Sequence, residues 1–137
     1  MKSIPHIVSD GGRIGFAPNE KLDCTVRAFA IATGMTYGDA HTVIKREGRK
    51  DRHTVWFRTI IRKSLSARIW NGKMFDEQHD TEMTIGQFVN MHPTGRYLIE
   101  IRSHVVAMID GTIYDITPPR PKQKVIAAWE LVSIPGQ

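Results

Sequence analysis

Apolar residues near the start of the chain recur at the spacing of one buried helical face. They stand at the i, i+3 and i+4 positions Val26, Phe29 and Ala30. Asp23 is a favoured N-cap residue, and Gly34 is a favoured stop because a helix often ends on a residue with positive φ. The pattern therefore predicts a helix that begins at Cys24 and packs into the core.

Caps and apolar stripes predict three more helices. Thr36 caps a helix over residues 37–47, whose buried stripe is Ala40, Val43 and Ile44. Thr54 caps a third helix, whose apolar positions are Val55, Phe57, Ile60, Ile61 and Leu65. A capping box that begins at Thr84 predicts a short helix that ends near Met91.

The second half of the chain changes to the pattern of β-strands. Apolar and β-branched runs predict strands at residues 97–101, 104–109, 112–116 and 125–132. Asp110-Gly111 separates the middle two and is the strongest short hairpin signal. The remaining segments are predicted to be irregular (1–12), a short strand (13–17), a turn (Asn71-Gly72) and an acidic loop (76–82). Helices followed by an antiparallel meander predict an α+β fold in a single domain over residues 1–137.

Composition excludes several classes of protein. The chain of 137 residues has one cysteine, which rules out an intrachain disulfide and a cysteine-based zinc cluster. His79, Asp80 and Glu82 lie together in the predicted acidic loop, where we expect a solvated surface, so we predict neither a metal nor a cofactor. Because we find no apolar run for a membrane span and no signal peptide, we expect a cytoplasmic protein without a membrane partner.

Positive charge is concentrated in one segment. The net charge is +5, and the segment from Lys45 to Lys73 has ten Lys/Arg against two Asp/Glu. Such a segment can steer a protein towards an acidic partner or nucleic acid, although a solvated helix surface is the alternative interpretation. The candidate binding residues of this basic surface are Arg49, Lys50, Arg52, Arg58, Arg62 and Lys63.

The position of Cys24 favours a reactive thiol. At a helix start its sulfur lies near unsatisfied N–H groups and the positive end of the helix dipole. This environment favours the thiolate and lowers the pKa of a cysteine from about 8.5 to roughly 3.5–7.5. Inert core packing is the alternative role of a lone buried cysteine.

The predicted hairpin supplies a base and a group to orient it. Counted outward from a two-residue loop at Asp110-Gly111, Val106 pairs with Asp115, and His104 becomes the diagonal neighbour of Asp115 on the same face. Diagonal positions are roughly 7–8 Å apart, so the carboxylate can accept the imidazole N–H and select its tautomer. The Asp110 carboxylate is on the order of 20 Å from His104 along the strand and serves the turn. Taken singly, His104 and Asp115 also suit structural roles.

Three segments carry a resemblance to known proteins. They read Asp23-Cys24-x-x-Arg27-Ala28-x-Ala30-x-Ala32-Thr33-Gly34, then Thr84-Ile85-Gly86-Gln87-Phe88 to His92-Pro93-x-Gly95-x-Tyr97-Leu98, then His104-Val105-Val106-Ala107-x-Ile109-Asp110-Gly111-x-Ile113-Tyr114-Asp115. In this order they resemble small papain-like cysteine peptidase proteins of phages and bacteria, and they are similar to bacteriocin-processing double-glycine peptidases. The resemblance covers residues 19–116, except that 46–80 has no matching motif.

The resemblance implies a papain-like fold, in which a central helix bearing the cysteine packs on a C-terminal antiparallel β-sheet. It implies that Cys24 is the nucleophile, His104 the general base and Asp115 the orienting acid. The family often has a glutamine shortly before the cysteine that donates to the oxyanion. In this stretch only Asn19 offers an amide, and loss of one oxyanion donor typically costs about 10²–10³ in rate.

Two functional hypotheses follow. The first is a cysteine-dependent hydrolase that cleaves an amide bond in a peptide or protein substrate, or an isopeptide, with acyl transfer open to the same groups. The second is a catalytically lapsed protein of the same fold that binds a host protein through the basic surface, with nucleic acid as the less favoured partner. If the chain is phage-encoded, its location is the host cytoplasm.

Overall fold

The computed structural model describes residues 4–53, 56–66, 74–79 and 81–132. This part of the chain forms five helices and six strands in a mixed α+β structure. The helices are α1 (Arg13–Phe16), α2 (Cys24–Thr33), α3 (Tyr37–Arg46), α4 (Phe57–Ser66) and α5 (Ile85–Met91). The strands are β1 (His6–Val8), β2 (Met74–His79), β3 (Arg96–Ile101), β4 (His104–Ile109), β5 (Thr112–Asp115) and β6 (Ala127–Val132). None of the helices in these ranges is long and apolar enough to cross a membrane.

All six strands join one mixed sheet in the order β1-β5-β4-β3-β6-β2. β1 pairs with β5 in parallel, and every other neighbouring pair is antiparallel. The four central strands are those that the sequence predicts. The two edge strands, β1 and β2, are absent from the prediction.

Both faces of the sheet are covered by helices. On one face, α2, α3 and α4 bury a cluster that includes Leu98, Val105 and Trp129. On the other face, α5 packs on residues that include Val106 and Met108. Because β4 is buried on both sides, its sequence is a continuous apolar run after His104 instead of an alternating one.

Helix α2 begins and ends as predicted, but its cap differs. Gly34 ends the helix in the left-handed conformation, with φ at 79°. The Asp23 carboxylate, by contrast, makes no capping hydrogen bond to the first turn, so the predicted cap is wrong. The carboxylate is buried and accepts hydrogen bonds from Arg13, Arg27 and Tyr37 instead.

The other caps agree with the sequence. The Thr36 hydroxyl accepts the Asp39 N–H at 3.1 Å, and Thr84 and Gln87 form a complete capping box at the start of α5. The predicted stripe of α3 is buried, as are Ile60, Ile61 and Leu65 of α4. The predicted cap Thr54, the apolar position Val55 and the turn Asn71-Gly72 lie outside the described residues.

Three local predictions are wrong. Residues 13–17 form the one-turn helix α1 because both Asp10 carboxylate oxygens accept backbone N–H groups at its start. Residues 6–8 form β1, because the edge of β5 offers them a backbone partner. Residues 74–79 form β2 against β6. Charged residues suit this position, because an edge strand tolerates and even profits from them.

The β4–β5 hairpin has the predicted two-residue turn. Asp110 and Gly111 both have positive φ, at 49° and 76°, as a type I′ turn requires. Ile109 pairs with Thr112, but the antiparallel register extends only as far as Ala107. The pairs predicted further out, from Val106 onward, are therefore not part of the register, although Asp115 still lies close to His104.

Candidate active site

Cys24 is the first residue of α2, and its side chain is largely buried where the helix packs on β4. His104 and the backbone N–H of Val105 lie close enough to the sulfur to stabilise its thiolate form. Burial raises the pKa of the thiol, but the hydrogen bond and positive charge of His104 outweigh it, with help from the Val105 N–H and the Arg27 charge. The pKa of Cys24 therefore lies below its ordinary value of 9.0.

His104 begins β4 directly after a turn residue, Ser103, whose φ is 58°. Its Nε2 atom lies 2.6 Å from Asp115 Oδ2, which leaves Nδ1 as the ring nitrogen for Cys24. The hydrogen bond to Asp115, followed by that to Cys24, raises the pKa of His104 to about 9 against the effect of burial. These opposite shifts favour a thiolate beside an imidazolium.

Asp115 ends β5 and is 5% exposed. Its Oδ1 atom accepts hydrogen bonds from Arg27 Nη1 at 2.7 Å and from the Ile116 N–H at 2.8 Å. Burial raises the pKa of this carboxyl, but the hydrogen bond and charge of His104 and the other donors bring it below its ordinary value. Asp115 therefore stays ionised and can orient the imidazole.

Arg27 is a part of the site to which sequence reasoning assigns no role. Its guanidinium bridges two carboxylates, because Nε donates to Asp23 Oδ1 at 3.1 Å while Nη1 donates to Asp115. The Tyr37 hydroxyl donates to Asp23 Oδ2 at 2.8 Å, and burial and this carboxylate raise the pKa of Tyr37. The sequence contains one signal for this role of Arg27, which is its i, i+4 spacing from Asp23 at the start of an apolar helix.

Asn19 is not joined to Cys24 by any contact. It lies exposed in the turn ahead of Glu20, and its side chain has no hydrogen bond to a described residue. The first turn of α2 offers backbone donors instead, because Asp23 does not cap it. The structure thus brings together Cys24, His104 and Asp115, while no hydrogen bond among the described residues joins Asn19 to them, and the oxyanion role of Asn19 stays a prediction.

Only some of the residues predicted to form the basic surface are exposed. Lys50, Arg52 and Lys63 are exposed, whereas Arg49 is 2% exposed and lies in the interior. Its inclusion in the basic surface is wrong, because it forms a buried salt bridge with Glu20 at 2.9 Å. The remaining two candidates, Arg58 and Arg62, lie close to carboxylates of Glu100 and Glu77.

Glu20 is the centre of a second buried cluster, which we call the Glu20 cluster (Glu20, His41, Arg49 and Asp51). Arg49 and His41 each lie 2.9 Å from the Glu20 carboxylate, which also accepts two backbone N–H groups. Burial raises the pKa of Glu20, but these donors, Arg49 first, lower it to about 2.

Three ligand atoms of the Glu20 cluster are close enough to share a metal ion, those of Glu20, His41 and Asp51. However, Arg49 already binds the Glu20 carboxylate, and Lys45 Nζ lies 3.3 Å from Asp51 Oδ2. Because the protein's own cations occupy these oxygens, we assign no metal to the cluster.

Two surface grooves flank the His104 end of the site. The first, which we call the α4 groove, has a volume of about 720 Å³, and its lining includes Leu22, Trp56, Phe57, Arg58, Arg62 and Ser103. The second has a volume of about 370 Å³ and is lined by His104 and Asp115 together with the segment after β5. His104 and Asp115 thus face the second groove, whereas the α4 groove is lined by Ser103, the residue next to His104.

The chain matches no protein-family model, no curated protein and no solved structure with which it was compared. The arrangement of side chains around Cys24 is therefore the basis for a functional assignment.

Proposed function

We propose that this protein is a cysteine-dependent hydrolase that cleaves amide bonds in a peptide or protein, with a papain-like arrangement of Cys24, His104 and Asp115. One observation carries the proposal: the His104 ring lies between the Cys24 thiol, whose pKa it lowers, and the Asp115 carboxylate, which is 2.6 Å from its Nε2 atom. A nucleophile, a base within reach and a third group that orients the base are the elements of covalent acyl-transfer catalysis.

The shifted pKa values suit the first chemical step. The Cys24 thiolate attacks the carbonyl carbon of the amide, and a C–S bond forms as the carbonyl electron pair moves to oxygen. His104 donates its Nδ1 proton to the leaving nitrogen, the C–N bond breaks, and the amine departs. A thioester between the acyl group and Cys24 remains.

Water completes the cycle. Neutral His104 accepts a proton from a water molecule, whose oxygen attacks the thioester carbon. The C–S bond then breaks, which releases the carboxylic acid and restores the Cys24 thiolate and the His104 imidazolium. Asp115 accepts the Nε2–H throughout and stabilises the positive ring without taking its proton.

Helix α2 supplies the electrostatic part of the proposal. We assign the backbone N–H of Cys24, at the positive end of the helix dipole, as one donor to the oxyanion. The packing of α2 on a sheet whose central strands carry His104 and Asp115 also agrees with the papain-like resemblance.

A lapsed interaction protein is the second candidate, favoured by the absence of a glutamine shortly before Cys24 and by the exposed Lys50, Arg52 and Lys63. It would keep the buried triad and bind a host protein, or nucleic acid, through the exposed basic residues. For nucleic acid, affinity would fall steeply with salt concentration. If replacement of Cys24 by alanine leaves the biological effect intact, this candidate replaces the hydrolase.

The test of the hydrolase is the rate at which iodoacetamide alkylates Cys24 as a function of pH. In the wild type, we expect the rate to rise through an inflection at a lower pH than that of an ordinary thiol measured in the same way, because His104 lowers the pKa of Cys24. In His104→Ala the inflection should move above the wild-type value, since burial then acts without its main opposing partner. Peptide cleavage should also decline as pH rises past about 9, where His104 loses its proton.

The matched control is His53→Ala, which removes an exposed histidine and should leave the alkylation profile unchanged. A wild-type inflection at the value of an ordinary thiol, unaffected by His104→Ala, would contradict the assignment of Cys24 as an activated nucleophile.

A further inference from the structure

The α4 groove and the candidate triad are built on the same two backbone segments. Leu22 lies two residues before Cys24, Ser103 lies one residue before His104, and both line the groove. Cys24 and His104 do not line the groove themselves, but a substrate held there lies against backbone segments that continue into both of them. The volume of about 720 Å³ is within the range of ligand-binding clefts.

The backbone at these two positions is unusual. Leu22 and Ser103 are not glycines, yet both adopt the left-handed conformation, with φ at 52° and 58°. Such conformations cost free energy, persist only where the surroundings impose them, and concentrate at ligand sites. The buried pair of Glu20 and Arg49 supplies one such constraint, because it fixes the chain two residues before Leu22.

One part of the groove is apolar. The side chains of Leu22 and Trp56 line it and are 61% and 88% exposed, with the partly buried Phe57 beside them. A tryptophan contributes a large apolar area and is enriched in binding surfaces. This part of the groove suits an apolar side chain of a ligand.

The other part of the groove contains two arginines and the carboxylate of Glu100. Arg58 and Arg62 line it from α4 and are each about half exposed. Arg58 Nε is 3.6 Å from a Glu100 oxygen, while Arg62 is paired with Glu77 at 2.7 Å. Glu100 is only 12% exposed and Arg58 is 45% exposed, so a ligand carboxylate can join Arg58 from the solvent side while Glu100 keeps its place. The positive 45–73 segment adds a long-range attraction for acidic chains.

We propose that the α4 groove binds a polypeptide segment beside the scissile bond, with an apolar side chain against Leu22 and Trp56 and a neighbouring carboxylate at Arg58. This inference rests on the proposed hydrolase and names its substrate class: acidic polypeptides in which an apolar residue adjoins an aspartate or glutamate. A basic substrate does not match the two arginines, and a single-stranded nucleic acid, which can stack on a tryptophan beside arginines, is the competing ligand that the experiment tests.

The experiment uses short electrophilic peptides on the intact protein. Leu-Glu, Leu-Gln, Leu-Lys and Gly-Glu are prepared in two series, with a chloroacetyl group at the N-terminus or a chloromethyl ketone at the C-terminus. In the series that fits the direction of the substrate, the Leu-Glu probe should alkylate Cys24 about tenfold faster than Leu-Lys, as expected for a charge-assisted hydrogen bond. The Gly-Glu probe should be slower than Leu-Glu.

Variants of the groove residues test which side chains cause the preference for the Leu-Glu probe. Arg58→Gln should abolish most of the difference between Leu-Glu and Leu-Gln, and Trp56→Ala should reduce the rates of both leucine probes. Arg46→Gln removes an exposed positive charge from α3, outside the groove, and should leave the preference intact. Neither Arg58→Gln nor Trp56→Ala should alter the iodoacetamide profile, because neither residue contacts the triad.

Failure of the groove is distinguishable from failure of the hydrolase. If all four probes react alike while iodoacetamide still reports a low thiol pKa, the groove inference is wrong and the hydrolase stands. If iodoacetamide reports an ordinary thiol, calorimetric binding of the Leu-Glu peptide to Cys24→Ala still tests the groove. Absence of that binding, or preferential binding of a short oligothymidylate lost in Arg58→Gln, would overturn the inference.

Discussion

Two histidines in this protein lie beside a buried carboxylate that an arginine also binds. His41 contacts Glu20, which Arg49 holds, and His104 contacts Asp115, which Arg27 holds. Only His104 also meets a thiol, and its side chain is 30% exposed, against 11% for His41. The same combination of charged groups can thus stabilise a loop in one place and activate a nucleophile in another.

The second contact of each histidine makes the difference. The Nε2 atom of His41 faces two carboxylates, Glu20 at 2.9 Å and Asp51 at 3.3 Å. The ring of His104 lies between a carboxylate and the Cys24 sulfur, so a proton can be passed towards a reacting group. A buried charge cluster is therefore a candidate for catalysis only where one member is a nucleophile or contacts one.

The difference between the two histidines is tested most strongly by replacing each of them separately with alanine. We expect His104→Ala to reduce peptide cleavage by about 10⁶-fold, the typical loss when the histidine of a catalytic triad is removed. His41→Ala should leave the turnover of the folded protein near the wild-type level but lower its melting temperature. Cleavage assays and thermal unfolding separate these effects. If both variants lost activity equally and had the same melting temperature, the assignment of His104 to catalysis and of His41 to stability would be wrong.

The Glu20 carboxylate should contribute to the stability of the folded protein. Glu20→Gln should destabilise the protein by roughly 3 kcal/mol near neutral pH, because it leaves Arg49 buried without its carboxylate. The pKa of Glu20 is lowered from 4.5 to about 2, so its ionised form stabilises the fold above 4.5 and this contribution is lost as pH falls towards 2. The stability gap between wild type and variant should therefore narrow over that range.

Chemical denaturation at several pH values measures this gap. Asp39→Asn, which removes an exposed carboxylate in the first turn of α3, is a control for the loss of one negative charge. A Glu20→Gln protein as stable as this control would show that the Glu20 cluster contributes nothing.

The smallest expected effect is on the orientation of Asp115. Arg27→Lys keeps a positive charge but cannot bridge Asp23 and Asp115 with the same planar geometry. We expect kcat/KM to fall about fivefold, the equivalent of one modest hydrogen bond, and the alkylation inflection of Cys24 to move upward. Arg13→Lys alters a contact to Asp23 alone and should do neither. An unchanged pH profile in Arg27→Lys would reduce Arg27 to a purely structural residue.

Local signals in the sequence predict most of the central fold. Caps at Thr36 and Thr84, the stop at Gly34 and the turn at Asp110-Gly111 act within a few residues, so they can be recognised from the sequence. The edge strands β1 and β2 depend on partners far away in the chain. Their short or charged sequences carry no strand pattern, which is why the prediction omits them.

The residues of the candidate site can be proposed from the sequence, but the contact between Cys24 and His104 is harder to predict. By strand alternation His104 shares the face of Val106 and Met108, which α5 covers, whereas Cys24 belongs to the cluster on the opposite face with Val105. The contact forms because His104 is the first residue of its strand, where the ring can reach past the end of the sheet. Alternation alone cannot predict this. The buried state of Arg49 was equally hidden, since its partner Glu20 lies 29 residues earlier.

The edge strand β1 gives the site a dependence on a segment that takes no part in the chemistry. Val8 pairs with Asp115, and the Asp115 carbonyl oxygen accepts hydrogen bonds from His6 Nε2 at 2.9 Å and from the Ser9 N–H at 3.1 Å. A proteolytic cut between β1 and α1 would leave Cys24, His104 and Asp115 in the chain. It would, however, weaken the hydrogen bonds from β1 that hold the backbone of Asp115. Cleavage beside the β1 strand should therefore weaken the candidate site, and β1 is a poor place to attach a fusion partner.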